Sequence, residues 1–197
     1  MKPFLSILCF LWLFALTAFA AEDYSRFAAV DSIACDFRME RHLAIADKPL
    51  VSTGRFYFRR PGFLRWEYRT PLAHGLIVRG SEAVSWQYDG EGRVTSADIS
   101  RQPMARLMGE QLRMFLSMDM EQISKRYRIE PIPDGVTLVP LQPGQIASIR
   151  LLFDRSERKL PVVTETAITE KSGEKTVISY AGFRINQPFP PAVEEPR

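Results

Sequence analysis

Between Thr53 and Pro71 the chain reads Thr-Gly-Arg-Phe-Tyr-Phe-Arg-Arg-Pro-Gly-Phe-Leu-Arg-Trp-Glu-Tyr-Arg-Thr-Pro. Two alternating segments flank Arg-Arg-Pro-Gly. Phe56 and Phe58 share one side of the first, and Leu64, Trp66 and Tyr68 share one side of the second, opposite Arg65, Glu67 and Arg69. Successive side chains of a strand point to opposite faces, so a period of two predicts paired strands with one apolar face. Val84, Trp86 and Tyr88 repeat the pattern against Ser85, Gln87 and Asp89 and are expected on the same face. That much aromatic surface must be covered, by the protein's own helices or by something else.

The remaining segments supply candidate covers. Glu22 to Ala34 reads as a short amphipathic helix with Tyr24, Phe27, Ala28, Ile33 and Ala34 on one side. A strand around Phe37 and Met39 follows, and Arg93 to Ile99 is the expected return strand after the Gly90-Glu91-Gly92 turn. From Pro103 to Ser117, Met104, Leu107, Met108, Leu112, Phe115 and Leu116 fall at helical spacing, with proline in the first turn. A second short helix is expected within Asp119 to Tyr127. Strands then resume: Tyr127 to Glu130 and Val136 to Pro140 around Pro-Asp-Gly, then Gln145 to Asp154, Val162 to Glu170 and Lys175 to Phe183. Short links imply an antiparallel sheet. The expected fold is mainly β with α, its helices lying on the concave side of the sheet.

The first twenty residues have the pattern of an export signal: Lys2, an apolar run from Phe4 to Phe14, then Ala18-Phe19-Ala20 as a small-x-small cleavage site. The run is short for a membrane span of about 20 residues. Cleavage after Ala20 predicts a periplasmic protein with one domain over 21–187 and a Pro-rich, acidic, loosely ordered tail over 188–197. It also removes Cys9 and leaves Cys35 as the only thiol, so no internal disulfide supports the fold. Net charge is +3, from 26 Lys and Arg against 23 Asp and Glu. In an exported protein, this excess points to an anionic membrane surface rather than nucleic acid, or simply to a solvated basic exterior.

Catalytic and metal motifs are missing. His42 and His74 are far apart and in no recognisable motif, and no Gly-x-Ser-x-Gly, His-Glu-x-x-His or Walker-type loop occurs. No His, Cys and Asp grouping has metal-ligand spacing, so neither metal nor cofactor is expected. Cys35 carries no nucleophile signature and is expected as a buried structural thiol.

Two readings of the aromatic face are open on the residues alone: an ordinary core, or one wall of an apolar pocket. Five methionines fall between Met104 and Met120, and methionine adapts to irregular or changing partners. A Met-rich helix over an aromatic sheet could open, admit an alkyl chain and re-close, each buried methylene contributing ~0.8 kcal/mol. On that reading Phe56, Phe58, Leu64, Trp66, Tyr68 and Trp86 form the wall, and Met104, Met108, Leu112 and Phe115 face it.

The stretch Gly54 to Pro71, with Arg59-Arg60-Pro61-Gly62, Arg65-Trp66-Glu67-Tyr68 and Pro71, resembles the LolA family of periplasmic outer-membrane lipoprotein carriers. Leu76-Ile77-Val78 and Trp86-Gln87-Tyr88-Asp89 are similar to the next two strands of that family. The resemblance implies an incomplete antiparallel β-barrel, a curved sheet with a helical lid over an apolar cavity that shields lipoprotein acyl chains. It implies a monomeric, non-enzymatic carrier whose partners are an inner-membrane export complex and an outer-membrane acceptor. Relatives of the fold handle other lipid tails, glycolipids or polyketide esters, and a lipid-sensing module is a further alternative. Arg60 sits at the position of the family's arginine that ties barrel to lid; on base rates it reads equally as a solvated turn residue.

Overall fold

The structure, a computed structural model, describes residues 24–102, 114, 118–154 and 160–195. After a 3-10 turn at Arg26–Ala29 the chain forms β1 (Ser32–His42), β2 (Leu50–Arg59), β3 (Phe63–Thr70), β4 (His74–Arg79), β5 (Glu82–Tyr88) and β6 (Val94–Asp98). A short helix α1 (Met120–Ser124) precedes β7 (Tyr127–Ile132), β8 (Gly135–Pro140), β9 (Ile146–Asp154), β10 (Val162–Glu170) and β11 (Lys175–Ile185). The strands make one antiparallel sheet in the order β6-β5-β4-β3-β2-β1-β11-β10-β9-β8-β7. Strand β1 joins the two halves, pairing β2 on one side and β11 on the other. Among the described residues no ladder joins the edge strands β6 and β7, so the barrel is incomplete. It is strongly curved all the same: Ser85 of β5 and Ile149 of β9, far apart in the strand order, line the same cavity.

The first strand corrects the expected N-terminal helix. Helical geometry ends at Ala29, and Ile33 and Ala34 lie in β1. Ile33, Cys35, Phe37 and Met39 continue one alternating series on the inner face, and pairing on both sides fixes the segment as strand. The local helical spacing loses to that tertiary pairing.

The face assigned to β5 is also corrected. A two-residue turn at Gly80-Ser81, with Gly80 at φ +57°, sets Arg79 opposite Glu82. In that register Ala83 and Ser85 face inward, while Trp86 lies opposite Gly75 on the convex side. A register shift of one residue exchanges the two faces of a strand, and alternation alone does not say which face is which. Trp86 therefore belongs to an outer cluster with Ala34, Tyr57, Phe63, Ile77 and Val193.

That cluster binds the C-terminal segment, which is not the loose tail its prolines suggest. Pro191–Glu194 forms a 3-10 turn, Val193 is buried, and the Phe189 ring lies 5.5 Å from Tyr57 and 6.2 Å from Phe63. Arg59 Nη2 meets Glu194 Oε1 at 2.7 Å. Arg65, only 2% exposed, donates to Glu67 Oε2 at 2.9 Å and to the carbonyls of Val193, at 3.2 Å, and Glu195. Its guanidinium also stands 5.2 Å from the centre of the Trp86 ring. Prolines cannot extend a ladder, but they leave carbonyls for such a clamp to collect. Replacing Arg65 with alanine removes charge-assisted bonds worth about 1.5–3 kcal/mol each before relaxation. Glu67 keeps some solvent contact, so we expect a net loss of about 2–3 kcal/mol in urea denaturation. Limited proteolysis should then cut beyond Ile185 well before the rest of the chain.

Candidate functional site

The inner face carries two apolar clusters. One spans the β1–β5 half with β10 and β11, and includes Cys35, Phe37, Phe56, Phe58, Leu64, Trp66 and Ile178. The other covers β7–β9 and includes Met114, Met118, Ile123, Leu138, Ile149 and Leu151, with Phe27 from the N-terminal turn. Asp119 caps α1 by accepting from the Gln122 N–H at 3.1 Å, which holds Ile123 against this second cluster.

Between the clusters lies a cavity of about 460 Å³, within the ~300–1,000 Å³ common for small-molecule sites. One cross-strand rung, Phe56, Trp66, Leu76 and Ser85, forms much of one wall. The opposite wall is Ile149 and Leu151 of β9 with Val162, Val163 and Ile168 of β10. Ile33, Cys35 and Met39 of β1 and Ile178 and Tyr180 of β11 connect them, and Phe27 of the N-terminal turn also lines the space. Along this rung the side chains taper from aromatic rings at Phe56 and Trp66 to a hydroxymethyl at Ser85, which leaves room beside it.

The residues singled out by sequence separate clearly. Phe56, Trp66 and Tyr68 line the cavity. Phe58 and Leu64 pair with each other one rung away and are buried against Val78 and Ala83. Trp86 is on the other face. Met104, Met108, Leu112 and Phe115 lie outside the described residues; Met114, between them in sequence, is helical and buried. The β9, β10 and β11 wall was missed, although Ile149, Leu151 and Phe153 alternate as plainly as the aromatic strands do.

Arg60 is tied to the segment that carries Phe27, one of the lining residues. Its Nε donates to the Val30 carbonyl at 2.9 Å and its Nη2 to the Phe27 carbonyl at 3.2 Å. It thus pins the backbone of a residue whose side chain is part of the wall. The Cys35 thiol is pushed up to about 12, chiefly by burial and further by the neighbouring Asp36 carboxylate. At neutral pH it is a small apolar wall group. Among the described residues no three His, Cys, Asp or Glu side chains gather as metal ligands, and neither Lys nor Arg lines the cavity.

The sequence pattern of the family described as "Outer membrane lipoprotein carrier protein LolA" matches residues 28–193. The chain belongs to the LolA family. Two named carriers of the family show how distant its members are. The outer-membrane lipoprotein carrier protein of Coxiella burnetii is 25% identical over 140 residues, covering 70% of this chain and 63% of that protein. Its counterpart in Albidiferax ferrireducens is 22% identical over 153 residues, covering 74% and 68%. The match thus spans less than two thirds of the Coxiella relative. In three dimensions the LolA-type sheet resembles the MucA/MucB complex structure of Pseudomonas aeruginosa, with TM-score 0.54, 13% identity and coverage of 89% of this chain and 60% of that one. At such identity the likeness concerns the fold alone.

Proposed function

We propose that this LolA-family chain is a periplasmic, non-enzymatic carrier that shelters the acyl chains of lipoproteins between inner and outer membranes. The observation that carries the reading is the uncharged cavity between the two halves of the curved sheet. Transfer of ~10 methylenes into it at ~0.8 kcal/mol each offers a gross stabilisation of several kcal/mol, tight enough for transit and weak enough for release. On this reading an inner-membrane export complex loads the cavity and an outer-membrane acceptor empties it. No helix among the described residues is long and apolar enough to cross a membrane.

Native mass spectrometry of protein purified from the periplasm tests the proposal. Co-purifying acylated species are expected, and a lipopeptide rather than a glycolipid identifies lipoprotein cargo. An empty protein that takes up no fluorescent acyl probe would overturn it.

Arg60 is the proposed latch. On this reading an entering chain pushes aside Phe27, which lines the cavity, and the bonds from Arg60 to the Phe27 and Val30 carbonyls favour its return. Arg60→Leu removes that restoring force, so bound chains should leave more slowly. Losing both bonds, at a net ~1.5 kcal/mol for the pair after solvent replaces them, corresponds to roughly tenfold in rate. Stopped-flow release of a fluorescent acyl probe measures it, and an unchanged rate would remove the latch from the reading.

A further inference from the structure

The cavity wall is not uniformly apolar. Tyr68 on β3 and Tyr180 on β11 stand on either side of Phe37: Phe37 pairs with Gly54, which pairs with Tyr68, and Phe37 pairs with Tyr180 on its other edge. Both phenols line the cavity, as does Thr166 of β10. All three residues remain partly accessible inside it. Their hydroxyls are poorly satisfied by the protein. Tyr180 reaches Thr166 Oγ1 only at 3.5 Å, well beyond the ~2.7–2.8 Å usual for O–H···O bonds. Among the described residues Tyr68 donates to the Met39 sulfur, at 3.8 Å, a weak acceptor, while the Trp66 indole also interacts with its oxygen. Burial raises both phenols above the usual tyrosine range; at Tyr180 the nearby Cys35 thiol and Tyr68 phenol add to the rise and the Thr166 bond opposes it, and at Tyr68 a Trp66 hydrogen bond opposes it. They are therefore neutral donors across the physiological range.

We propose that the Tyr68 and Tyr180 hydroxyls form a donor rung that reads a neutral carbonyl oxygen on the bound chain, so that the cavity prefers acyl esters over alkyl ethers and over free fatty-acid anions. This rests on the carrier reading and specifies the chemistry of its ligand. A hydrocarbon offers these hydroxyls nothing, while an ester carbonyl replaces a long bond and a sulfur contact with two normal ones. A carboxylate also accepts hydrogen bonds, but it brings a charge into a wall to which the described residues contribute no Lys or Arg, and the exposed His74 ring is committed to stacking on Tyr68 at 4.4 Å. Burying that charge unpaired is costly.

The test uses the purified protein and displacement of N-phenyl-1-naphthylamine, a neutral apolar fluorophore. Competitors are dioctanoylglycerol, the equivalent dioctyl ether and octanoate. The ester should displace the probe at about fivefold lower concentration than the ether, the equivalent of one net hydrogen bond, and octanoate should compete worst. In the Tyr68→Phe/Tyr180→Phe double variant the ester–ether gap should close to less than twofold, chiefly through weaker ester binding, with the urea denaturation midpoint measured alongside to show that the fold is intact. An equal response to ester and ether in the unmodified protein, a gap that survives in the double variant, or octanoate competing as well as the ester would overturn the rung and leave the carrier reading standing. Failure of every acyl competitor to bind would overturn both.

Discussion

Gly54→Ala is expected to destabilise the protein by about 3 kcal/mol or more, the upper end of what overpacking one methyl group costs. Gly54 faces inward on β2, where the Phe37 ring of β1 lies flat across it. A Cβ at this position would stand 2.6 Å from the Phe37 ring and press against the Glu67 carbonyl of β3. The carbonyl is backbone, so relief requires moving a strand and not a side chain. The ladder is already irregular here: Thr53 pairs with Thr70 and Gly54 with Tyr68, leaving Arg69 as an extra residue. The ring cannot retreat freely either, because Phe37 packs against Trp66 at 4.5 Å and Tyr68 at 5.3 Å between centroids. One added methyl thus strikes the β1–β2–β3 junction that holds up the aromatic wall. Urea denaturation of the variant should show the midpoint fall with the slope unchanged. A loss below about 1 kcal/mol would mean that the sheet yields more easily than this packing allows.

Much of this organisation is written into the residues, and the exceptions have physical causes. The hairpin around Arg59-Arg60-Pro61-Gly62 is legible because alternation and turn chemistry agree within a few residues of each other. So are β9, β10 and β11, each an alternating run between turn signals. The side on which Trp86 falls is not legible, because it depends on a register set by the Gly80-Ser81 turn and on the bare backbone of Gly75, whose added Cβ would meet the Trp86 ring at 2.6 Å. Nor is the fate of the C-terminal prolines. Only the folded sheet brings Arg59 and Arg65 together with Tyr57 and Phe63 to receive Phe189 and Val193. The cavity itself is half legible: its aromatic wall stands out, while its aliphatic wall uses the same residue types as any core. What makes that half a wall is the curvature of the sheet, a property of all the ladders together.

The same geometry yields a functional prediction of large effect. Ser85 stands at the narrow part of the tapering rung Phe56–Trp66–Leu76–Ser85, next to Ala97 of β6, and lines the cavity. Tryptophan there would point an indole into volume that no other side chain among the described residues claims, so the fold should tolerate it better than an equal enlargement in a filled core. Bound chains would lose that volume. If the indole displaces about three methylenes at ~0.8 kcal/mol each, affinity falls by ~2.4 kcal/mol, roughly fiftyfold. Gly54→Ala and Ser85→Trp should therefore fail in opposite ways: the first loses stability and carries binding down with it, the second keeps its denaturation midpoint and loses binding. Titration with a fluorescent acyl probe beside urea denaturation distinguishes the two. Undiminished uptake by Ser85→Trp would show that the chain is held elsewhere, because a tryptophan cannot share this end of the cavity with an acyl chain.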